Sequence, residues 1–340
     1  MIANKDIYSE NSQQKVDSMF LQVIKGNIGI LGVLILISIV MAVVSPNFLV
    51  YGNIISVLRQ VSNNMYLALG MTLVIILGGI DLSIGSIVAM SGTIIVGLIV
   101  NSGLPLIPAI LIGLLLGVVV GFLNGIVIAN FKVPAFIVTL ATMNVAKGIA
   151  YVYSGGRSTR ITDPIFNMIG GGYLGPIPLP VIYMVILIII FSTLLNKTKF
   201  GTYVYAIGGN RESARLSGVP IKKVEVAVFT ISGLLAAFSG LVLCSRMFSG
   251  QPSVGEGYEM DAIAACVLGG VSMSGGQGRI SGTVIGALVI GIISNGLNLM
   301  GVSSFWQLIV KGIIIVIAVL IDSQKGNDSF IRKIIMPNKK

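Results

Sequence analysis

The sequence predicts an all-α integral membrane protein of about ten transmembrane helices, with a broken or short eighth segment and both termini cytoplasmic. Three observations predict it. Mean hydropathy is +0.97, and only 10% of the 340 residues are charged, against about 25% in a soluble domain. Apolar runs recur at the roughly 17–25 residues that span a hydrocarbon core. Basic residues gather on one side of the resulting topology.

Residues 1–27 are polar and read as a cytoplasmic tail. They are not expected to form a cleavable leader, because the apolar run at 28–44 has no small-residue cleavage site and meets Ser45-Pro46. Further spans are expected at 61–78, 84–100, 106–129, 135–152, 180–195, 224–243, 280–298 and 305–321. A shorter apolar piece, 260–272, rises only about 20 Å as helix. It is a broken span or a re-entrant half-helix, which lipid tolerates only where protein or a cavity shields the backbone. Counting it as a crossing leaves only Arg59, Arg157, Arg160 and Arg246 outside, with Lys147 and Lys311 inside spans. Residues 28–322 then form one transmembrane domain, 323–340 form a basic cytoplasmic tail, and no extramembrane domain is expected.

The net charge of +10 is read as cytoplasmic loop charge, not as a nucleic-acid surface. Cys244 and Cys266 lie in apolar runs and are expected to be buried small hydrophobes. With no His in the chain, imidazole metal sites, Ser-His triads and His relays are excluded; no catalytic, cofactor or metal site is expected. Gly113, Gly117 and Gly121 fall on one helix stripe and are read as a close-packing seam. Leu77-Gly78-Gly79-Ile80-Asp81-Leu82-Ser83 echoes Leu268-Gly269-Gly270-Val271-Ser272-Met273-Ser274, either as a repeat or as coincidence between glycine-rich helix ends.

The inside loop at about 198–222 is the most informative segment. Asn210 can cap a short helix, Glu212 sits in its first turn, Arg215 lies later, and Gly218 stops it. Ala214 and Leu216 offer a small apolar face, so the helix suits protein docking, or is an ordinary amphipathic loop helix.

This loop resembles the coupling loop of ribose-type permeases in ATP-binding-cassette sugar importers. Gly78 to Ser86, Asn124-Gly125 with Val133 to Met143, Gly257 to Ala265 with Leu268-Gly269-Gly270, and Asn295 to Asn298 through Gln307 and Lys311-Gly312 to Asp322 resemble that family's other motifs, in family order. The resemblance implies a subunit that pairs with a second copy of itself in the bacterial cytoplasmic membrane. It also implies separate cytoplasmic ATPase subunits, which bind ATP and Mg, and an extracytoplasmic sugar-binding protein; this subunit itself would hold no cofactor. The expected cargo is a monosaccharide, ribose or a related pentose. Asn210, Arg211, Glu212, Ala214, Arg215, Leu216 and Gly218 would then couple to the ATPase. Ser274-Gly275-Gly276-Gln277 looks like a cassette signature, but no Gly-Lys dipeptide supplies a phosphate loop, so the subunit is not expected to be an enzyme.

Asp81 is expected to cap the next helix or to act in the pathway or gate. Helix-borne polar groups join it as pathway candidates: Asn64, Ser83, Ser91, Asn124, Thr139, Asn144, Asn295 and Asn298. Arg157, Arg160 and Arg246 are candidates for docking the binding protein. Lys311 and Asp261 reach one level and either pair, or Lys311, like Lys147, snorkels to the headgroups. The rival reading is an ion-coupled secondary transporter of a small polar solute, which would want a carboxylate near mid-membrane.

Overall fold

The computed structural model describes residues 27–325. The two expected tails lie, but for their innermost residues, outside that range. The chain runs through α1 (Ile28–Val44), α2 (Tyr51–Ile76), α3 (Ile84–Val100), α4 (Leu106–Phe131) and α5 (Ala135–Ser154). A short loop helix, α6 (Pro164–Gly171), precedes α7 (Leu179–Lys197), α8 (Lys199–Gly209) and α9 (Arg211–Leu216). Then come α10 (Ile221–Met247), α11 (Tyr258–Leu268), α12 (Ile280–Leu299) and α13 (Ser304–Lys325). Two-residue strands form two small antiparallel pairs: β1 (Thr159–Arg160) with β4 (Ser249–Gly250), and β2 (Tyr173–Leu174) with β3 (Ile177–Pro178).

Among the described residues, five helices are long and apolar enough to cross a membrane: α4, α5, α7, α10 and α12. The apolar helices α1 and α3, and the Ser304–Leu320 stretch of α13, are shorter. Helix α11, at 11 residues, rises about 16 Å and cannot cross alone. Its apolar side chains from Ala262 to Val267 are buried, and it packs on α2, α12 and α13. The short-segment expectation at 260–272 is thus met by a half-length helix followed by a glycine-rich loop.

The centre of the bundle is α2, whose residues from Val61 to Ile76 are buried apart from Asn64. It starts ten residues before the expected span, at Tyr51 instead of 61. The polar residues of this added stretch are held by protein. Arg59 stacks over the Tyr173 ring at 4.6 Å, and Asn53 exchanges amide hydrogen bonds of 3.0 and 2.8 Å with Asn295.

Helix α10 packs most extensively on α4. The glycine seam explains how. A Cβ on Gly117 would meet the Gly233 carbonyl oxygen, and one on Gly121 the Phe229 carbonyl. Gly113 makes its close approach elsewhere, to Ile95 of α3.

The echoed segments both end a helix with a glycine turn. Gly78 (φ 94°) and Gly270 (φ 79°) adopt the left-handed backbone, and the following amides close onto Val74 and Cys266 carbonyls. These glycines are one position out of register in the aligned motifs. The next turn is in register: Asp81 and Ser272 side chains each accept the amide N–H two residues on. The loops also touch, since the Gly276 N–H donates to the Ile76 carbonyl at 2.8 Å.

Candidate functional site: a polar cavity, a buried carboxylate and a capped helix

At the end of the bundle carrying the start of α2 and the ends of α10 and α12 lies a cavity of about 280 Å³. Gln60, Asn63 and Asn64 reach it from α2, Arg246 from α10, Tyr258 and Asp261 from α11, and Ser294 and Asn298 from α12. Val61, Leu243 and Ile290 supply apolar wall. The side-chain oxygens of Asn63 and Asn64 are buried and have no hydrogen-bond partner among the described residues. Each such orphan acceptor costs about 1–3 kcal/mol. The Asp261 carboxylate is already engaged: Lys311 Nζ lies 2.8 Å from its Oδ2. Both side chains are largely buried, so the expected pair forms. Asn298 accepts from Gln307 Nε2 at 2.7 Å, which ties the end of α12 to α13.

A second polar cluster sits where α2 breaks into α3. Asp81 is fully buried. Its Oδ1 accepts from the Ser83 N–H (3.0 Å) and the Ser83 hydroxyl (2.6 Å), and its Oδ2 from the Ser232 hydroxyl of α10 (2.8 Å). Asn124 of α4 donates to Ser83 Oγ at 3.2 Å and accepts from Thr142 of α5 at 2.6 Å. Thr139 Oγ accepts the Leu82 N–H at 3.1 Å. Asp81 thus closes the turn before α3 and binds α10 at the same time. Of the expected pathway residues, Asp81, Ser83, Asn124 and Thr139 meet here, and Asn64 and Asn298 meet at the cavity. Asn295 is spent on Asn53. Ser91 bonds within its own helix to the Ile87 carbonyl. Asn144 is exposed, bonds to the Leu140 carbonyl of its own helix, and joins neither cluster.

At the opposite end from the cavity, α9 forms as its residues dictate. Asn210 Oδ1 accepts the Ser213 N–H at 2.8 Å, and Gly218 (φ 78°) ends the turn. Ala214 faces inward and is buried, whereas Leu216 is 75% exposed, so the two do not share one face. Glu212 and Arg215 pair on the surface, and the guanidinium holds the Glu212 carboxyl below its usual range. Arg211 forms a two-pronged pair with Glu225 of α10, whose carboxylate is buried. That hydrogen-bonded pair pushes the Arg211 guanidinium pKa up. Helix α8 leans on the glycine loops: Tyr205 OH donates to the Gly278 carbonyl at 2.8 Å, and a Cβ on Gly208 would meet the Ile76 carbonyl and the Gly276 amide.

Residues 53–319 match the family model described as branched-chain amino acid transport system / permease component. The chain belongs to this permease family. The permease is 50% identical over 298 residues to the ribose import permease protein RbsC of Bacillus subtilis (strain 168), covering 87% of this chain and 92% of that protein. It is 44% identical over 303 residues to the RbsC protein of Escherichia coli (strain K12), covering 87% and 93%. The L-arabinose transport system permease protein AraH of the same strain is 42% identical over 297 residues, covering 87% and 90%. No solved structure matches the permease significantly. With this family and its apolar helices, the permease is a multi-pass protein of a bacterial cytoplasmic membrane.

Several residues of the permease's clusters are not singled out by sequence reasoning. Ser232 and Thr142 sit in apolar helices, where a lone hydroxyl more often bonds its own helix. Glu225 lies 14 residues after Arg211, and only the turn at Pro220 folds it back. Asn63 had a readable signal, being adjacent to Asn64 in an otherwise apolar stretch. The docking candidates separate: Arg157 and Arg160 are exposed, while Arg246 is half-buried at the cavity. Lys147 pairs with Glu256 at 3.1 Å.

Proposed function

We infer that this chain forms the translocation pathway for a monosaccharide, ribose or a related pentose, in an ATP-driven importer. The carrying observation is the cavity of about 280 Å³ lined by Asn63, Asn64, Ser294 and Asn298. Its size falls just under the roughly 300–1,000 Å³ of drug-sized ligand pockets, and its neutral amides and hydroxyls suit a polyol held weakly enough to leave. The names of the relatives at 42–50% identity support the same cargo class.

In this reading both termini are cytoplasmic, the chain makes ten crossings with α11 as the broken one, and the cavity opens outward. An extracytoplasmic sugar-binding protein docks at Arg157 and Arg160 and hands the sugar to the cavity, with Arg246 at its rim. Two copies of the chain enclose the path. Separate ATPase subunits hold ATP and Mg, since the chain has no phosphate loop of its own. They seat α9, using Asn210, Glu212, Arg215 and the exposed Leu216. Arg211 and Glu225 pass that movement to α10, and α8 passes it to the glycine turns ending α2 and α11. The path between its two states changes by rigid-body motion of these helices.

A second reading is an amino-acid cargo, favoured by Arg246 and Asp261 lining one cavity and by the description of the family. The Lys311 contact weakens it, because it neutralises the carboxylate that would take the ammonium group. The test is reconstitution with the ATPase and binding protein in liposomes. Ribose- or arabinose-loaded binding protein should raise ATP hydrolysis and uptake, while leucine should not. Stimulation by leucine alone supports the second reading, and uptake driven by an ion gradient without ATP would refute both.

A further inference from the structure

Two grooves run together on the surface of α4 and α10. The lower, of about 520 Å³, is lined by Phe122 and Ile126 of α4 and by Val226, Ala227, Thr230 and Ile231 of α10, with Lys222 and Lys223 at its top. Its lining is apolar in effect, because the Thr230 hydroxyl is spent on the Val226 carbonyl at 2.7 Å. The upper groove, of about 740 Å³, shares both lysines and adds Lys132, beside Arg211 and Arg215, which are paired with Glu225 and Glu212.

The lysines sit in an unfavourable place. They occupy the first turn of α10, which carries no acidic residue and whose helix dipole repels cations. They are also adjacent like charges, both exposed. Among the described residues, Lys222 hydrogen-bonds a neutral partner, the Asn130 side-chain oxygen at 3.0 Å. An anion at this spot relieves both penalties. The groove beneath says which anion. It follows the outer faces of two helices that are long and apolar enough to span the membrane, and α4 exposes Leu115, Val119, Phe122 and Leu123 there. A water-soluble protein can reach the upper groove but not the lower one, whereas an acyl chain lies naturally in the lower.

We propose that the α4–α10 surface is an anionic phospholipid site, with one acyl chain in the Phe122–Ala227–Ile231 groove and the phosphate on Lys222, Lys223 and Lys132. The site is independent of the cargo. It would hold a lipid beside the helix that carries Glu225, and so beside the docking of α9.

The full chain in detergent is titrated with dioleoylphosphatidylglycerol, with dioleoylphosphatidylcholine, and with glycerol 3-phosphate, and bound lipid is read by native mass spectrometry. Phosphatidylglycerol should be retained at concentrations where phosphatidylcholine is not. The double variant Lys222→Gln, Lys223→Gln should weaken its retention about tenfold or more, with thermal unfolding in phosphatidylcholine unchanged. Ala227→Phe, which fills the groove and leaves the cations in place, should also weaken it. Equal retention of the two lipids, or undiminished phosphatidylglycerol in the lysine variant, overturns the proposal. So does glycerol 3-phosphate displacing the lipid at equal concentration, which would mark a free-anion site. If Ala227→Phe dissociates a dimer and leaves lipid retention untouched, a second copy covers the groove and the proposal fails.

Discussion

Arg211, on the short α9 helix, grips the Glu225 carboxylate buried in the first turns of α10 through both of its terminal nitrogens. A bidentate guanidinium–carboxylate pair has a fixed geometry. Movement of α9 therefore transmits to α10 without slack. Removing one partner leaves the other uncompensated, so Arg211→Ala should cost about 2 kcal/mol of stability and lower uptake per ATP hydrolysed. Replacing both by Met should return the thermal midpoint toward the parent while coupling stays lost. Parallel measurement of unfolding and of uptake against hydrolysis checks both parts; normal coupling in the double variant would remove the pair from the transmission path.

Lys311 and Asp261 form a largely buried pair between α13 and α11. Breaking a buried pair from one side costs about 3–5 kcal/mol at full burial, and somewhat less at this depth. Lys311→Met should be destabilised and poorly transporting, and Lys311→Met with Asp261→Asn should recover much of the loss. Unimpaired folding and uptake in the single variant would show that the pair is dispensable.

The Asp81 carboxylate accepts from Ser83 twice and from Ser232 once. Asp81→Ala strands these donors and should destabilise by about 2–4 kcal/mol. Asp81→Asn keeps an acceptor oxygen and should fall between. Urea or thermal unfolding in detergent gives the order, and Asn behaving as badly as Ala would mean that the charge itself, not the hydrogen bonds, is required.

At the cavity, Asn63→Ala and Asn64→Ala remove oxygens that have no protein partner among the described residues. Folding should be little changed. The concentration of loaded binding protein needed for half-maximal ATPase stimulation should rise, about tenfold if one hydrogen bond to the sugar is lost. Reduced stability with unaltered stimulation would assign these amides to packing.

Most of the helical frame was legible from hydropathy, because an apolar run in lipid has few alternatives to a helix. The cap of α9 was legible for a related reason: Asn210 and Gly218 act through the backbone within a few residues. What was not legible depends on distant partners. The first ten residues of α2 look too polar for a span until Tyr173 and Asn295 are placed against them. The candidate list for the pathway was a list of helix-borne polar residues, and sequence does not say which of them face each other. Asn124 turned out to serve Ser83 and Thr142 at once, whereas Asn144, in the same family motif region, faces outward.

The seam at Gly117 and Gly121 also determines where the molecule bends. At the seam the two backbones approach carbonyl against bare Cα, with only the short Ala237 methyl beside Gly117. Sliding one past the other would drive each carbonyl into the next residue's Cβ, so α4 and α10 behave as a splint. Any swing of the path must then be taken up at the joints outside the splint, at the left-handed turns of Gly78, Gly257 and Gly270. Glycine thus serves the protein in two opposite mechanical roles: locking where it faces another helix, and yielding where it ends one.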